Sequence, residues 1–237
     1  MNTIFLSVMI YLFIFSQGNE LVKYAGSLKG IMKGNDISSK INLNDIKNKK
    51  NLYALGAAEN LEGEIQIFNG EPFNSEVVNR KLVIKKDFQK GAALLVYANV
   101  KDWNEYKIDE VITDLNLLQQ KIELICKTEN INSEKPFPFL IKGSAENLSW
   151  HVVSSNSQKV LQTHEEHKSS GLSGELKNEA VEIIGFYSNK HQGIITHHST
   201  NIHLHFKYGD KTVAGHIDEL KLKKNFKLYF SNIHNKK

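Results

Sequence analysis

The run Asn201-Ile202-His203-Leu204-His205-Phe206 is followed by Tyr208-Gly209-Asp210-Lys211 and then by Gly215-His216-Ile217-Asp218. On a β-strand, residues two apart share a face. His203 and His205 therefore project together, while Ile202, Leu204 and Phe206 take the apolar side. The Tyr208–Lys211 turn allows an antiparallel return strand that carries His216. Three imidazoles around one ion, with a fourth position open, are the donor set of catalytic zinc, whereas structural sites close with four ligands. A His-x-His pair alone also occurs as surface decoration. The third histidine on the return strand, inside an apolar frame, argues for the metal. Gly215 before it would let a neighbouring backbone come close.

The chain has 237 residues and 10 histidines, none of them before His151. The chemistry is therefore expected in the second half. His197 and His198 point to opposite sides of an extended chain, so one at most faces the metal, as an outer hydrogen-bond donor, a substrate contact or plain loop lining. His164-Glu165-Glu166-His167 lacks zincin spacing and reads as loop surface or a pocket lid. His191 and His234 carry no pattern. Cys126, the lone cysteine, reads as a small buried hydrophobe rather than a nucleophile. Arg80 is the one arginine among 30 basic residues, so lysine supplies nearly all the positive charge.

The elements that must position these residues read as α+β and β-dominated, with mixed or antiparallel sheets in two tandem subdomains, 19–134 and 135–237. The metal site falls on the second. Leu61–Phe68 is a strand that ends at the hairpin signal Asn69-Gly70, with Glu71-Pro72-Phe73 leading into the return. Gly26–Asn44 reads as a loop with a short amphipathic segment, and Gly91–Val100 as a buried strand. Apolar residues at 108, 111, 112, 115, 118, 122 and 125 predict a helix over Ile108–Thr128. Ser133–Pro138 is a connector. Beyond it, strands are expected at Phe137–Ile141, Ser149–Val153, Ala180–Tyr187, Ile202–Phe206, Thr212–Leu222 and Phe226–Phe230. The polar stretch Ser154–Glu179 reads as a long loop or hairpin region.

Composition excludes several classes. Hydrophobic content of 41% with 24% charge is an ordinary globular mix. One cysteine excludes a disulfide framework and a Cys-rich zinc finger. A net charge of +4 spread over 26 acidic and 30 basic residues is too diffuse for nucleic-acid binding. No glycine-rich phosphate loop is present. Ile4–Phe15 is an almost unbroken apolar run, short for a membrane span, and Ser16-Gln17-Gly18 offers small residues where a signal peptidase reads. Residues 1–18 are thus expected to be a signal peptide of an exported (periplasmic or secreted) protein, the alternative being an uncleaved N-terminal anchor.

His203-Leu204-His205-Phe206 with His216 eleven residues after His205 resembles the alpha-acetolactate decarboxylases, which hold zinc by three histidines. Leu55-Gly56, Leu61-Glu62-Gly63-Glu64-Ile65 and Asn69-Gly70-Glu71-Pro72-Phe73 resemble that family's second block, whose glutamate sits at the active site. Phe137–Gly143, Gly185-Phe186 and Gly193-Ile194 resemble the strands between. The resemblance implies Zn2+ on His203, His205 and His216, Glu64 as an acid/base or metal-site carboxylate, and decarboxylation of 2-acetolactate to acetoin and CO2. It implies a small 2-hydroxy-3-oxo acid as partner; a homodimer is the assembly considered, with no nucleic acid and no membrane span once the leader is removed.

Two positions depart from the family. Where it has an active-site arginine, roughly eight residues after the glycine matching Gly143, this chain has His151. The family's glutamate near the C-terminus has no counterpart, because no acidic residue follows Glu219. His151 is the expected substitute, donating a proton or binding the substrate carboxylate. A metal- or ligand-binding protein without turnover, and a related lyase acting on another small oxo-acid, remain the alternatives.

Overall fold

Two antiparallel sheets carry the chain, and the computed structural model describes residues 21–34, 36–154, 171–209 and 213–231. The first sheet is built from β1 (Val22–Ala25), β2 (Ile41–Asn42), β3 (Leu52–Ala58), β4 (Glu64–Phe68), β5 (Glu71–Pro72), β6 (Asn74–Val78), β7 (Lys81–Lys85) and β8 (Gly91–Asn99). Its order is β1-β8-β3-β4-β6-β7, with β2 beside β8 and β5 beside β4. A short helix, α1 (Leu28–Gly34), follows β1.

The second sheet contains β9 (Trp103–Ile108), β10 (Phe137–Val152), β11 (Leu172–Tyr187), β12 (Ile202–Tyr208), β13 (Val213–Leu222) and β14 (Phe226–Ser231). They run in the order β11-β12-β13-β10-β14-β9, and β11 also pairs with β10. That extra pairing closes β10, β11, β12 and β13 into a ring. The helix α2 (Leu115–Thr128) lies between β9 and β10 in sequence and packs on this sheet.

Alternation along the strands decides which residues meet. Ile65 and Ile67 face a core with Leu43 and Ile46 on the outside of the first sheet. Phe68 turns the other way and joins Leu55, Leu140, Ile184 and Phe186 in the core between the two sheets. On the far face of the second sheet, Ile202, Leu204 and Phe206 pack with Leu118, Ile122 and Cys126 of α2. Each large apolar side chain so buried contributes about 1.5–3 kcal/mol. With the apolar side of β12 committed to that core, His203 and His205 must face the first sheet.

The Asn69-Gly70 hairpin forms where expected, pairing Ile67 with Pro72 and Phe68 with Glu71. The expected helix is shorter than its apolar spacing. It begins at Leu115, where Asp114 accepts a hydrogen bond from the Leu117 backbone N–H at 2.9 Å. Ile108 ends β9, Ile112 bridges to Leu222, and Val111 is 46% exposed. Those three residues matched the helical period without lying on a helix. Phe137–Ile141 and Ser149–Val153, expected as two strands, are joined through Lys142–Leu148 into the 16-residue β10. Leu172–Glu179, expected within a long loop or hairpin region, is strand: its antiparallel ladder with β10 holds it although its side chains are polar and largely exposed. No helix among the described residues is long and apolar enough to cross a membrane.

Candidate metal centre

His205 on β12 pairs directly opposite His216 on β13, and His216 pairs opposite His151 on β10. Three imidazoles thus stand in a row across adjacent strands, with His203 one alternation along from His205. Ring centres are 5.1 Å apart for His203 and His205, 5.1 Å for His203 and His216, and 5.3 Å for His205 and His216. One ligand atom from each lies within 4.8 Å of the others, and all three side chains are buried. Gly215 permits this approach, since a Cβ there would stand 2.7 Å from the His151 carbonyl oxygen.

Two of the rings are oriented from behind. His203 Nδ1 donates to the Ile195 carbonyl at 2.9 Å, and His205 Nδ1 donates to Gln66 Oε1 at 3.0 Å. Gln66 is itself fixed through Nε2, which donates to Ser75 Oγ and to the Phe73 carbonyl. With the proton on Nδ1, each Nε2 keeps its lone pair. Among the described residues His205 Nε2 is buried without a hydrogen-bond partner, and Glu64 Oε2, at 3.8 Å, is too far to be one. Burial lowers the pKa of His203 to about 3, with the neighbouring His197 adding to the effect. Burial likewise holds His205 and His216 well below the usual imidazole value. Neutral imidazoles with buried lone pairs and acceptors behind them are what a zinc ligand requires. The donor set fits the ion.

The sequence profile described as alpha-acetolactate decarboxylase matches residues 24–237. The chain belongs to the alpha-acetolactate decarboxylase family. Among solved structures, it is similar to alpha-acetolactate decarboxylase from Bacillus subtilis strain 168, with a TM-score of 0.72 and 15% identity over 89% of this chain and 85% of that one. The acetolactate decarboxylase of Bacillus subtilis subspecies spizizenii gives the same TM-score and coverages at 16% identity. A Staphylococcus aureus protein of unknown function, described as similar to alpha-acetolactate decarboxylase, gives 0.69 at 12% identity over 89% of this chain and 84% of that one. At such identities the likeness speaks for the fold. No curated protein matches by sequence.

In this decarboxylase-family fold, Glu64 comes from the first sheet and meets the histidines of the second. It is 5% exposed, and its Oε1 accepts from the Val153 backbone N–H at 3.4 Å. Burial pushes its carboxyl well above the usual range, the Val153 hydrogen bond acts against the shift and the nearby Asp218 charge adds to it. Gly63, at φ +134°, gives the strand its approach to β6 just before Glu64: a Cβ there would overlap the Ser75 carbonyl.

His151 is brought to the same place. Its ring centre is 4.8 Å from that of His216, and its Nδ1 is 2.8 Å from Asp218 Oδ1. His197 also turns inward, 5.4 Å from His216 and 5.8 Å from His203, while His198 is exposed. His191 stays apart, against Ser188 and Tyr24. Arg80 sits on the β6–β7 turn. Cys126 is buried on the inner face of α2, and burial pushes its thiol up to about 12, as a packed residue should be. His164, His167 and His234 lie outside the described residues.

Glu64, His151, His203 and His216 line a cavity of about 60 Å³ closed on one side by Leu28, Ile31 and Met32 from the segment around α1. A wider cleft of about 700 Å³ shares Leu28, Met32, His197, His203 and His216 with it, so the cavity has an approach from outside. Gln66 and Asp218 were not singled out from sequence. The signal for both was the strand period itself: Gln66 is two residues from Glu64, and Asp218 two from His216.

Proposed function

We propose that this chain decarboxylates 2-acetolactate to acetoin with a zinc ion on His203, His205 and His216. The observation that carries the reading is the buried three-imidazole cluster facing a buried carboxyl on a chain of this family. Held by His203, His205 and His216, zinc would supply Lewis-acid stabilisation of the negative charge left as CO2 departs. Glu64, whose burial raises its pKa well above the usual carboxylate range, delivers the proton to carbon. The apolar wall of Leu28, Ile31 and Met32 limits water around that proton. His151 meets the substrate from the other side of His216, at the position where the resemblance places an arginine.

Zinc analysis beside an acetoin assay tests this. The wild type should carry one zinc and release acetoin, and His203→Ala should lose both. Glu64→Gln should keep the metal and lose turnover by a factor of 100 or more, the low end of what a positioned proton donor is worth. The imidazole in place of the arginine favours a second reading, a metal- or ligand-binding protein without turnover. Stoichiometric zinc with no acetoin from any preparation would establish it. Export belongs to the same proposal, and a mature chain starting at Asn19 by mass spectrometry is the expected outcome.

A further inference from the structure

Glu123 takes no part in the chemistry above, and it stands on α2, on the face of the second sheet away from the site. The helical period places it one turn after Gln119, beside the buried stripe of Leu118, Ile122 and Cys126. Its Oε1 gathers three donors: Gln119 Nε2 at 3.0 Å, the Tyr187 hydroxyl at 3.1 Å and Asn201 Nδ2 at 3.1 Å. Hydrogen bonds to a charged acceptor are about twice as strong as neutral ones.

Tyr187 and Asn201 stand at the two ends of one connection. Tyr187 closes β11, Ile202 opens β12, and the segment between is pinched where the Ser188 N–H donates to the Asn201 carbonyl at 2.8 Å. The Asn201 N–H donates to Gln119 Oε1 at 2.9 Å, and Gln192 Nε2 donates to Asn201 Oδ1 at 2.6 Å. This segment reaches the site in three places. Its Ile195 carbonyl accepts from His203 Nδ1 at 2.9 Å. Its His197 ring is 5.8 Å from that of His203 and 5.4 Å from that of His216. Its Gly193 and Ile194 carbonyls accept from the Lys29 and Leu28 N–H groups at 2.7 and 3.0 Å, which ties down the start of α1, the wall of the cavity.

We propose that Glu123 is a positioning residue for the metal centre: through Tyr187 and Asn201 it anchors residues 188–201, and they in turn set His203 and the α1 wall. Glu123 lines neither the cavity nor the cleft, so it acts only through the segment. A metal ligand whose supporting acceptor is lost holds its ion about 10- to 100-fold less tightly, and an anchor for that acceptor acts in the same direction. The inference rests on the proposed zinc site and names a residue outside it on which the geometry depends.

Two measurements on the full chain test this: zinc affinity by chelator competition, and amide hydrogen exchange of the metal-free protein. Glu123→Ala should bind zinc about 10-fold more weakly. Exchange should also quicken at Lys29, Ile194 and Ile195, whose N–H groups donate to carbonyls of the segment. Glu123→Gln, whose amide oxygen still accepts, should bring both readouts back close to wild type. Leu118→Ala removes a buried contact of the same helix; it should melt lower and leave both readouts at wild type. Unchanged exchange in Glu123→Ala would overturn the proposal, as would wild-type zinc affinity there or an equal loss in Leu118→Ala. If Glu123→Ala does not fold, Gln119→Ala takes its place with the same outcomes, since it removes the acceptor of the Asn201 N–H and favours the helix. A wild type that takes up no zinc would overturn the metal reading, and exchange alone would then decide the anchoring.

Discussion

Three imidazoles buried side by side make the metal-free chain sensitive to acid, and the direction follows from their pKa values. His203 is lowered to about 3, and His205 and His216 are also well below the unfolded value. The unfolded chain takes up their protons near pH 6.5 and the folded chain does not, so their contribution is intact above that pH and is lost as pH falls toward the folded values. Glu64 opposes them: its raised pKa gives a contribution complete below about pH 4.5 that is lost as pH rises through its folded value. Three groups act against one. At the steep limit each is worth about 1.4 kcal/mol per pH unit, so urea midpoints of the metal-free chain should fall between pH 7 and pH 5, and His203→Gln should flatten that fall. A flat profile would mean the rings are not shielded as their burial requires. Gln66 acts at the same scale but on the metal. Gln66→Leu should weaken zinc binding by about 10- to 100-fold in chelator competition, because His205 loses the acceptor that orients it.

At the scale of the element, what the sequence made legible was the period of two in short, one-sided strands. Ile202–Phe206 alternates cleanly because one face meets α2 and the other meets the site, so the histidine pair could be placed on a strand face without coordinates. β3 gave no such signal: Leu52 to Leu55 are buried on both faces and alternate nothing. Ile108, Val111 and Ile112 matched a helical period because a strand end and a bridge happened to put apolar residues at that spacing. The pairing that sets His216 opposite His151 was invisible, since register is a property of two strands together. Close strand approach is the element-scale feature most open to test. Gly215→Ala would place a Cβ 2.7 Å from the His151 carbonyl oxygen, a backbone atom that cannot move without its strand. Separation of β13 from β10 there displaces His216 and His151 together. The variant should therefore lose zinc and melt several degrees lower, on the order of 1–3 kcal/mol for an overpacked contact. Unchanged zinc content would show that the two strands have slack.

At the scale of the whole molecule, the proposed ligands and their supports belong to different sheets. His203, His205 and His216 stand on the second sheet, while Glu64 and Gln66 stand on the first. The complete centre exists only while the sheets are docked, and the docking is done by a separate apolar core that includes Leu140, Ile184, Phe186, Leu55 and Phe68. A ligand that binds only the docked state stabilises it by about 4 kcal/mol when present at 1,000 times its dissociation constant. Zinc should therefore raise the melting temperature of the whole chain in a single transition. The converse follows by linkage. Leu140→Ala, far from any ligand atom in role but 3% exposed between the sheets, should cost about 2–5 kcal/mol of stability. Part of that loss should reappear as weaker zinc binding, because undocking separates Gln66 from His205. Calorimetric titration of zinc into the Leu140→Ala variant measures this coupling. Affinity equal to wild type, in a variant that melts lower, would mean that the second sheet holds the ion without help from the first.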